Sequence, residues 1–188
     1  MGMTVWIVLG VIVMIALYLI VIYNRLVSLR QTVNQSWSDI TVQLKQRHDL
    51  VPNLVETVKG YAAHERGTFD AVVKARNAAL AASGPQAQAQ AENLLSGALR
   101  QLFALAEAYP DLKANQNFLR LQSDLADIEN KIAAARRFFN NAVQEFNTAI
   151  QQFPMVLVAG PFGFTSHTFF ELDEGERAAV QIAPQVKF

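Results

Sequence analysis

Hydrophobic residues run almost without relief through the first 23 positions, and then settle into a helical rhythm. From Val5 to Tyr23 every residue except Gly10 is apolar, and residues 1–23 carry no charged side chain. At about 1.5 Å per helical residue the run spans about 28 Å, the thickness of a bilayer's hydrocarbon core. Trp6 near one end, with Tyr18 and Tyr23 near the other, suits the interfacial placement of aromatic side chains. A cleaved signal peptide needs a basic leader, a shorter apolar core and a small-residue cleavage site, and the run has none of these. No polar face recurs at helical spacing, which argues against a core helix. The pattern predicts a retained single-pass membrane anchor over residues 1–24.

Beyond it, a spacing of three and four predicts long helices and no strand alternation stands out. One seam runs Leu26, Leu29, Val33, Trp37, Ile40, Leu44, Arg47, Val51, Leu54, Val58, Tyr61. Another runs Phe118, Leu121, Leu125, Ile128, Ile132, Ala135, Phe139, Ala142, Phe146, Ala149, Phe153. Both resemble coiled-coil seams. Between them lie two shorter stripes, Phe69, Val72, Arg76, Ala79 and Leu95, Ala98, Leu102, Leu105, Tyr109. Gly60 and Gly67 bracket the first turn, and Ser83-Gly84-Pro85 reads as a helix stop with a proline restart. Tyr109-Pro110 closes the third stripe, Asn115 suits the N-cap of the next helix, and Pro154 closes the last at Phe153. Pro52, inside the first seam, predicts a kink, or a break with Asp49 capping the restart.

These signals predict an all-α chain: the anchor, an antiparallel up-down four-helix bundle over residues 25–153, and an irregular apolar tail over 154–188. The bundle helices fall at roughly 25–60, 64–82, 86–109 and 115–152. With the first and last paired antiparallel and Arg25 level with Gln152, Arg47 comes level with Glu129 and Trp37 with Phe139 or Asn140. A partly buried Arg47–Glu129 ion pair that fixes register is the resulting structural expectation.

An even number of helices returns the chain to the membrane, which places the tail at its surface. Six of the twelve phenylalanines lie there: Phe153, Phe162, Phe164, Phe169, Phe170 and Phe188. Packing on the bundle, contact with neighbouring copies and shallow insertion into the bilayer interface all remain open for it. Phe162, Phe164, Phe169 and Phe170 are the candidate residues for an oligomer or membrane-surface contact.

Composition narrows the chemistry. Of the 188 residues 52% are hydrophobic, and the excess is the anchor; 16 basic and 16 acidic residues balance to zero, and there is no cysteine. That excludes disulfides, thiolate metal sites and a cysteine nucleophile, and gives nucleic acid no basic stripe. Arg25, Arg30, Lys45 and Arg47 follow the anchor with no basic side chain before it, so the N-terminus is expected outside and the domain in the cytoplasm. Asn130, Asn140, Asn141, Gln144, Asn147, Gln151 and Gln152 crowd the last helix with uncharged amides, which suit either a solvated face or a face packed on identical copies.

The sequence resembles the LemA family in four stretches. They are Gln43-Leu44-Lys45-Gln46-Arg47-His48-Asp49-Leu50-Val51-Pro52-Asn53-Leu54-Val55, Val58-Lys59-Gly60-Tyr61-Ala62-Ala63-His64-Glu65, Glu107-Ala108-Tyr109-Pro110-Asp111-Leu112-Lys113-Ala114-Asn115 and Glu129-Asn130-Lys131-Ile132-Ala133-Ala134-Ala135-Arg136-Arg137-Phe138. Phe118, Asn147, Phe153-Pro154, Phe169-Phe170 and the closing Pro184-Gln185-Val186-Lys187-Phe188 extend the resemblance, while Phe138 and Phe146 stand where the family often has tyrosine. The resemblance implies a bacterial membrane-anchored helical bundle with no established enzymatic activity and a relative in magnetosome membranes.

Three histidines set the limits of an enzymatic reading. His48-Asp49 and His64-Glu65 are adjacent pairs that point to different helix faces, and no His-Glu-x-x-His or Glu-x-x-His pattern occurs. His48, His64 and His167 are expected as surface or helix-end residues; Gly160-x-x-Gly163 is too short for a phosphate loop. No cofactor, metal or catalytic residue is expected. The leading expectation is a non-enzymatic scaffolding protein of the bacterial inner (plasma) membrane that homo-oligomerises in the bilayer plane. An adaptor docking a protein partner, such as a membrane protease or sensor, is the alternative, and a metal-dependent enzyme a distant third.

Overall fold

A computed structural model describes residues 2–171; Phe188 and the rest of the closing stretch lie outside the described residues. The described chain is helical: α1 (Met3–Lys59), α2 (Arg66–Ala81), α3 (Pro85–Glu107), α4 (Pro110–Lys113), α5 (Gln116–Ala149) and α6 (Val156–Ala159). The N-terminal part of α1 is long and apolar enough to cross a membrane. Residues 2–21 are exposed throughout, and the first buried residue of α1 is Ile22.

Of the kink or break expected at Pro52 the break is absent, because α1 runs unbroken through it. Proline lacks the N–H that would bond the carbonyl four residues back, and that carbonyl belongs to His48. Arg76 Nε donates to the His48 oxygen at 2.7 Å instead, so the orphaned acceptor is satisfied from α2. Asp49 does not cap a restart; its carboxylate accepts from Lys45 Nζ at 2.6 Å.

Other boundaries follow local chemistry. Gly84 takes φ 81, a conformation that suits glycine, and Pro85 opens α3. Asn115 caps α5: its Oδ1 accepts from the N–H groups of Asn117 at 2.9 Å and Phe118 at 3.0 Å. α5 ends at Ala149, four residues before the expected stop at Phe153, and the chain turns through Pro154 into α6. The four-residue helices α4 and α6 were not expected.

The described residues divide into two compact units, and α1 and α5 contribute to both. The first comprises residues 2–39 and 137–168. Its buried side chains include Leu26, Leu29 and Val33 from α1, Phe139, Val143 and Phe146 from α5, and Val158 and Phe164 from the tail. The rings of Trp37 and Phe139, expected at one height, lie 5.3 Å apart. The second unit comprises residues 40–136 and 169–171. There Val51, Leu54 and Val58 join Phe69, Val72, Leu95, Leu102, Leu112, Phe118 and Leu125 in one core.

Candidate functional site

Four helices bring side chains to a buried polar cluster in the second unit. Arg47 and His48 come from α1, Arg76 from α2, Gln88, Glu92 and Ser96 from α3, and Glu129 from α5. Arg47 and Glu92 are 3% and 1% exposed, so both charges lie out of water. Such burial is strongly unfavourable unless each charge is paired and its hydrogen-bonding capacity filled.

The filling is nearly complete. Glu92 Oε2 accepts from Arg47 Nη1 at 3.1 Å; Glu92 Oε1 accepts from Gln88 Nε2 at 2.8 Å and lies 2.7 Å from His48 Nε2. A donating Nε2 on His48 fits that contact. Gln88 spends its other amide hydrogen on the Ala79 carbonyl at 3.1 Å, which ties α3 back to the end of α2. Arg47 Nη2 donates to Ser96 Oγ at 2.7 Å. Arg47 Nε lies 3.0 Å from Glu129 Oε1, an ion pair by distance that is out of hydrogen-bond alignment.

The cluster thus contains both Arg47 and Glu129, and adds the residue that sequence reasoning missed. The Glu129 side chain is 42% exposed, so the fully buried counter-ion is Glu92. Counting back from Leu95 along the α3 stripe by three and then four reaches Glu92 and Gln88, a signal of the same kind as Arg47 on the first seam. His48 also departs from expectation: it is buried in mid-helix, not at a surface or helix end. Both oxygens of Glu92 are engaged, so the arrangement can lock helix rows against one another. Among the described residues no group of three or more His, Cys, Asp or Glu side chains is placed to hold a metal.

The candidate aromatic residues separate into two pairs. Phe164 and Phe170 are buried, whereas Phe162 and Phe169 are exposed. In the first unit Phe164 packs between Tyr23, at 5.7 Å between ring centroids, and Phe146, at 6.4 Å, with the Arg30 guanidinium 5.0 Å over its ring. Asn147 clamps the chain just beyond. Its Nδ2 donates to the His167 carbonyl at 2.9 Å, and its Oδ1 accepts the His167 N–H at 2.8 Å. The His167 ring lies edge-on to Phe146 at 5.1 Å. Burial holds the His167 pKa below the ordinary histidine value, and the nearby Arg30 charge adds to the effect.

On the same unit the outer face of α5 carries Asn141, Gln144 and Thr148, followed by Gln151 and Gln152, all exposed. The one acidic residue in that stretch, Glu145, is taken by Arg25 Nη2 at 2.7 Å. Arg25, Leu29, Gln144, Thr148 and Gln152 line an open groove of about 520 Å³.

Residues 36–188 match the LemA family, and the chain belongs to it. It is similar to magnetosome protein MamQ of Magnetospirillum gryphiswaldense, 25% identical over 174 aligned residues. It is also similar to magnetosome proteins MamQ 2 and MamQ 1 of Paramagnetospirillum magneticum, each 24% identical over 175. Each alignment covers 79% of this chain and 64% of the relative, so the chain spans less than two thirds of their length.

Proposed function

We propose that this LemA-family chain is a non-enzymatic scaffold, anchored in the bacterial inner membrane by α1, that self-associates laterally. Its helices α1, α2, α3 and α5 form an antiparallel up-down bundle on the cytoplasmic side, with the N-terminus outside. Arg25 and Arg30 at the end of the apolar run support that orientation, because basic residues are retained on the cytoplasmic side. The magnetosome relatives support a membrane role.

One observation carries the self-association: the exposed, uncharged polar side chains of Asn141, Gln144 and Thr148 on α5 and of Gln151 just beyond it, where the acidic Glu145 is paired with Arg25. Identical copies stacked through a charged face would repel, whereas amides both donate and accept across a symmetric contact. Anchoring raises the local concentration of copies, so weak contacts suffice. The buried Arg47–Glu92 pair ties α1 to α3 within the second unit.

Cysteine placed on the face is a direct test, because the chain has none of its own. Asn141→Cys and Gln151→Cys in membranes are expected to give covalent dimers under mild oxidation, while Val73→Cys, also exposed but on α2, stays monomeric. Absence of dimers at both face positions overturns the proposal. A cross-link to a different protein at the same positions favours the adaptor reading.

A further inference from the structure

We propose that the turn from Phe153 to Phe162 is a membrane-interface wedge, whose exposed apolar side chains enter the bilayer that α1 crosses. The inference rests on reading the first apolar run as membrane-spanning, and it adds a second, shallow contact with the same lipid.

Three observations converge. The first is chemistry: residues 146–170 contain no Asp, Glu, Lys or Arg. The second is a fixed outward face. Phe153 is 80% exposed and Leu157 and Phe162 are each 62% exposed, while Val158 and Ala159 between them are buried. Large apolar side chains grouped in water are unfavourable, and such patches mark contact surfaces. The face is held in place: Gly163 takes φ 70, the Phe164 N–H donates to the Ala159 carbonyl at 2.9 Å, and Phe164 is buried behind it.

The third is depth, and it selects lipid over other occupants. The Phe162 ring packs on Tyr23 at 5.2 Å, and Tyr23 is the last residue of the apolar run. The tail therefore meets α1 where hydrocarbon gives way to headgroups, the level at which aromatic side chains gather. Phe153, Leu157 and Phe162 supply the apolar side of an interfacial element, and Arg25 and Arg30 follow on α1 within two turns.

Nitroxide labels on single cysteines in the full-length chain test this in vesicles of phosphatidylcholine and phosphatidylglycerol. Leu157→Cys and Phe162→Cys report the wedge, Ile12→Cys the anchor and Val42→Cys an exposed position outside it. The expected result is deep oxygen-accessible burial at Ile12, shallow burial at Leu157 and Phe162 with loss of collision with a water-soluble nickel chelate, and full nickel access at Val42. Full nickel access at Leu157 and Phe162 with Ile12 still buried overturns the wedge and leaves the anchor standing. Nickel access at Ile12 overturns both. Protection at Leu157 and Phe162 accompanied by spin–spin broadening assigns the patch to a second copy and overturns the wedge.

Discussion

In the unit built from residues 40–136 and 169–171, charge lies inside: Arg47, His48, Gln88 and Glu92 are buried among aliphatic side chains. The unit built from residues 2–39 and 137–168 reverses this. Among the described residues its one buried polar side chain is Ser36, which bonds back to the Val33 carbonyl at 2.9 Å, and the amides of Asn141, Gln144, Gln151 and Gln152 face outward. The first arrangement is directional, because a buried charge tolerates few placements of its partners. The second packs aromatic rings on one another inside and turns uncharged donors and acceptors to solvent outside. The buried charges and the solvent-facing amides thus lie in different parts of one chain.

Breaking the charged interior is expected to have the largest effect. Glu92→Ala leaves Arg47 buried without its counter-ion and His48 Nε2 without its acceptor, and should cost about 3–5 kcal/mol, read as a lower denaturation midpoint of the full-length chain in micelles. Replacing the centre as a whole, with Arg47→Met, His48→Leu and Glu92→Leu, should recover most of that loss, because an apolar core no longer holds an unpaired charge. Recovery failing in the triple variant would show that the cluster contributes more than its own compensation.

The aromatic unit sharpens the contrast at a smaller scale. Phe164→Ala empties a site between Tyr23 and Phe146 and should cost about 3 kcal/mol, whereas Phe162→Ala, on the exposed side with only its edge contact to Tyr23 to lose, should cost about 1 kcal/mol or less. Equal losses for the two would erase the distinction between buried and outward rings. Asn147→Ala removes both amide bonds to His167 and should cost about 1–2 kcal/mol. Limited proteolysis would then cut the chain after Ala149 faster than in the parent protein.

The smallest effect is a pH dependence confined to His167. Its folded pKa lies below the ordinary value of 6.5 because burial disfavours the imidazolium. The stability it contributes is therefore complete above pH 6.5 and is lost as pH falls through the folded value. His167→Gln should flatten the acid side of the unfolding-midpoint profile for this unit. An unchanged profile would mean that other groups set the acid slope.

Much of this architecture was legible in the sequence because helical periodicity and punctuation are local. The apolar run, the two long seams, the two shorter stripes and the Asn115 cap are all written in nearby residues. Arg47 was legible for a related reason, since a cation on an apolar seam is conspicuous. Its buried partner was not, because the α3 stripe began in the count at Leu95, one step after Glu92. The choice at Pro52 between a continuous helix and a break stayed open for a different reason: it depends on Arg76, which reaches the freed His48 carbonyl from another helix. The same limit applies to the tail. Its phenylalanines are plain in the sequence, yet their division into buried Phe164 and Phe170 and exposed Phe162 and Phe169 follows from chain reversal after Ala149, which no periodic signal marks.

The central claim is that copies of this chain associate through the outer face of α5 while anchored by α1. Native mass measurement of the full-length protein, extracted directly from membranes into lipid nanodiscs, tests it most directly. The expected result is a particle holding two or more copies, reduced to one by Asn141→Glu with Gln144→Glu, which set like charges against each other without disturbing the Arg47–Glu92 centre. Single copies for the parent protein, with or without a different protein bound, would contradict it.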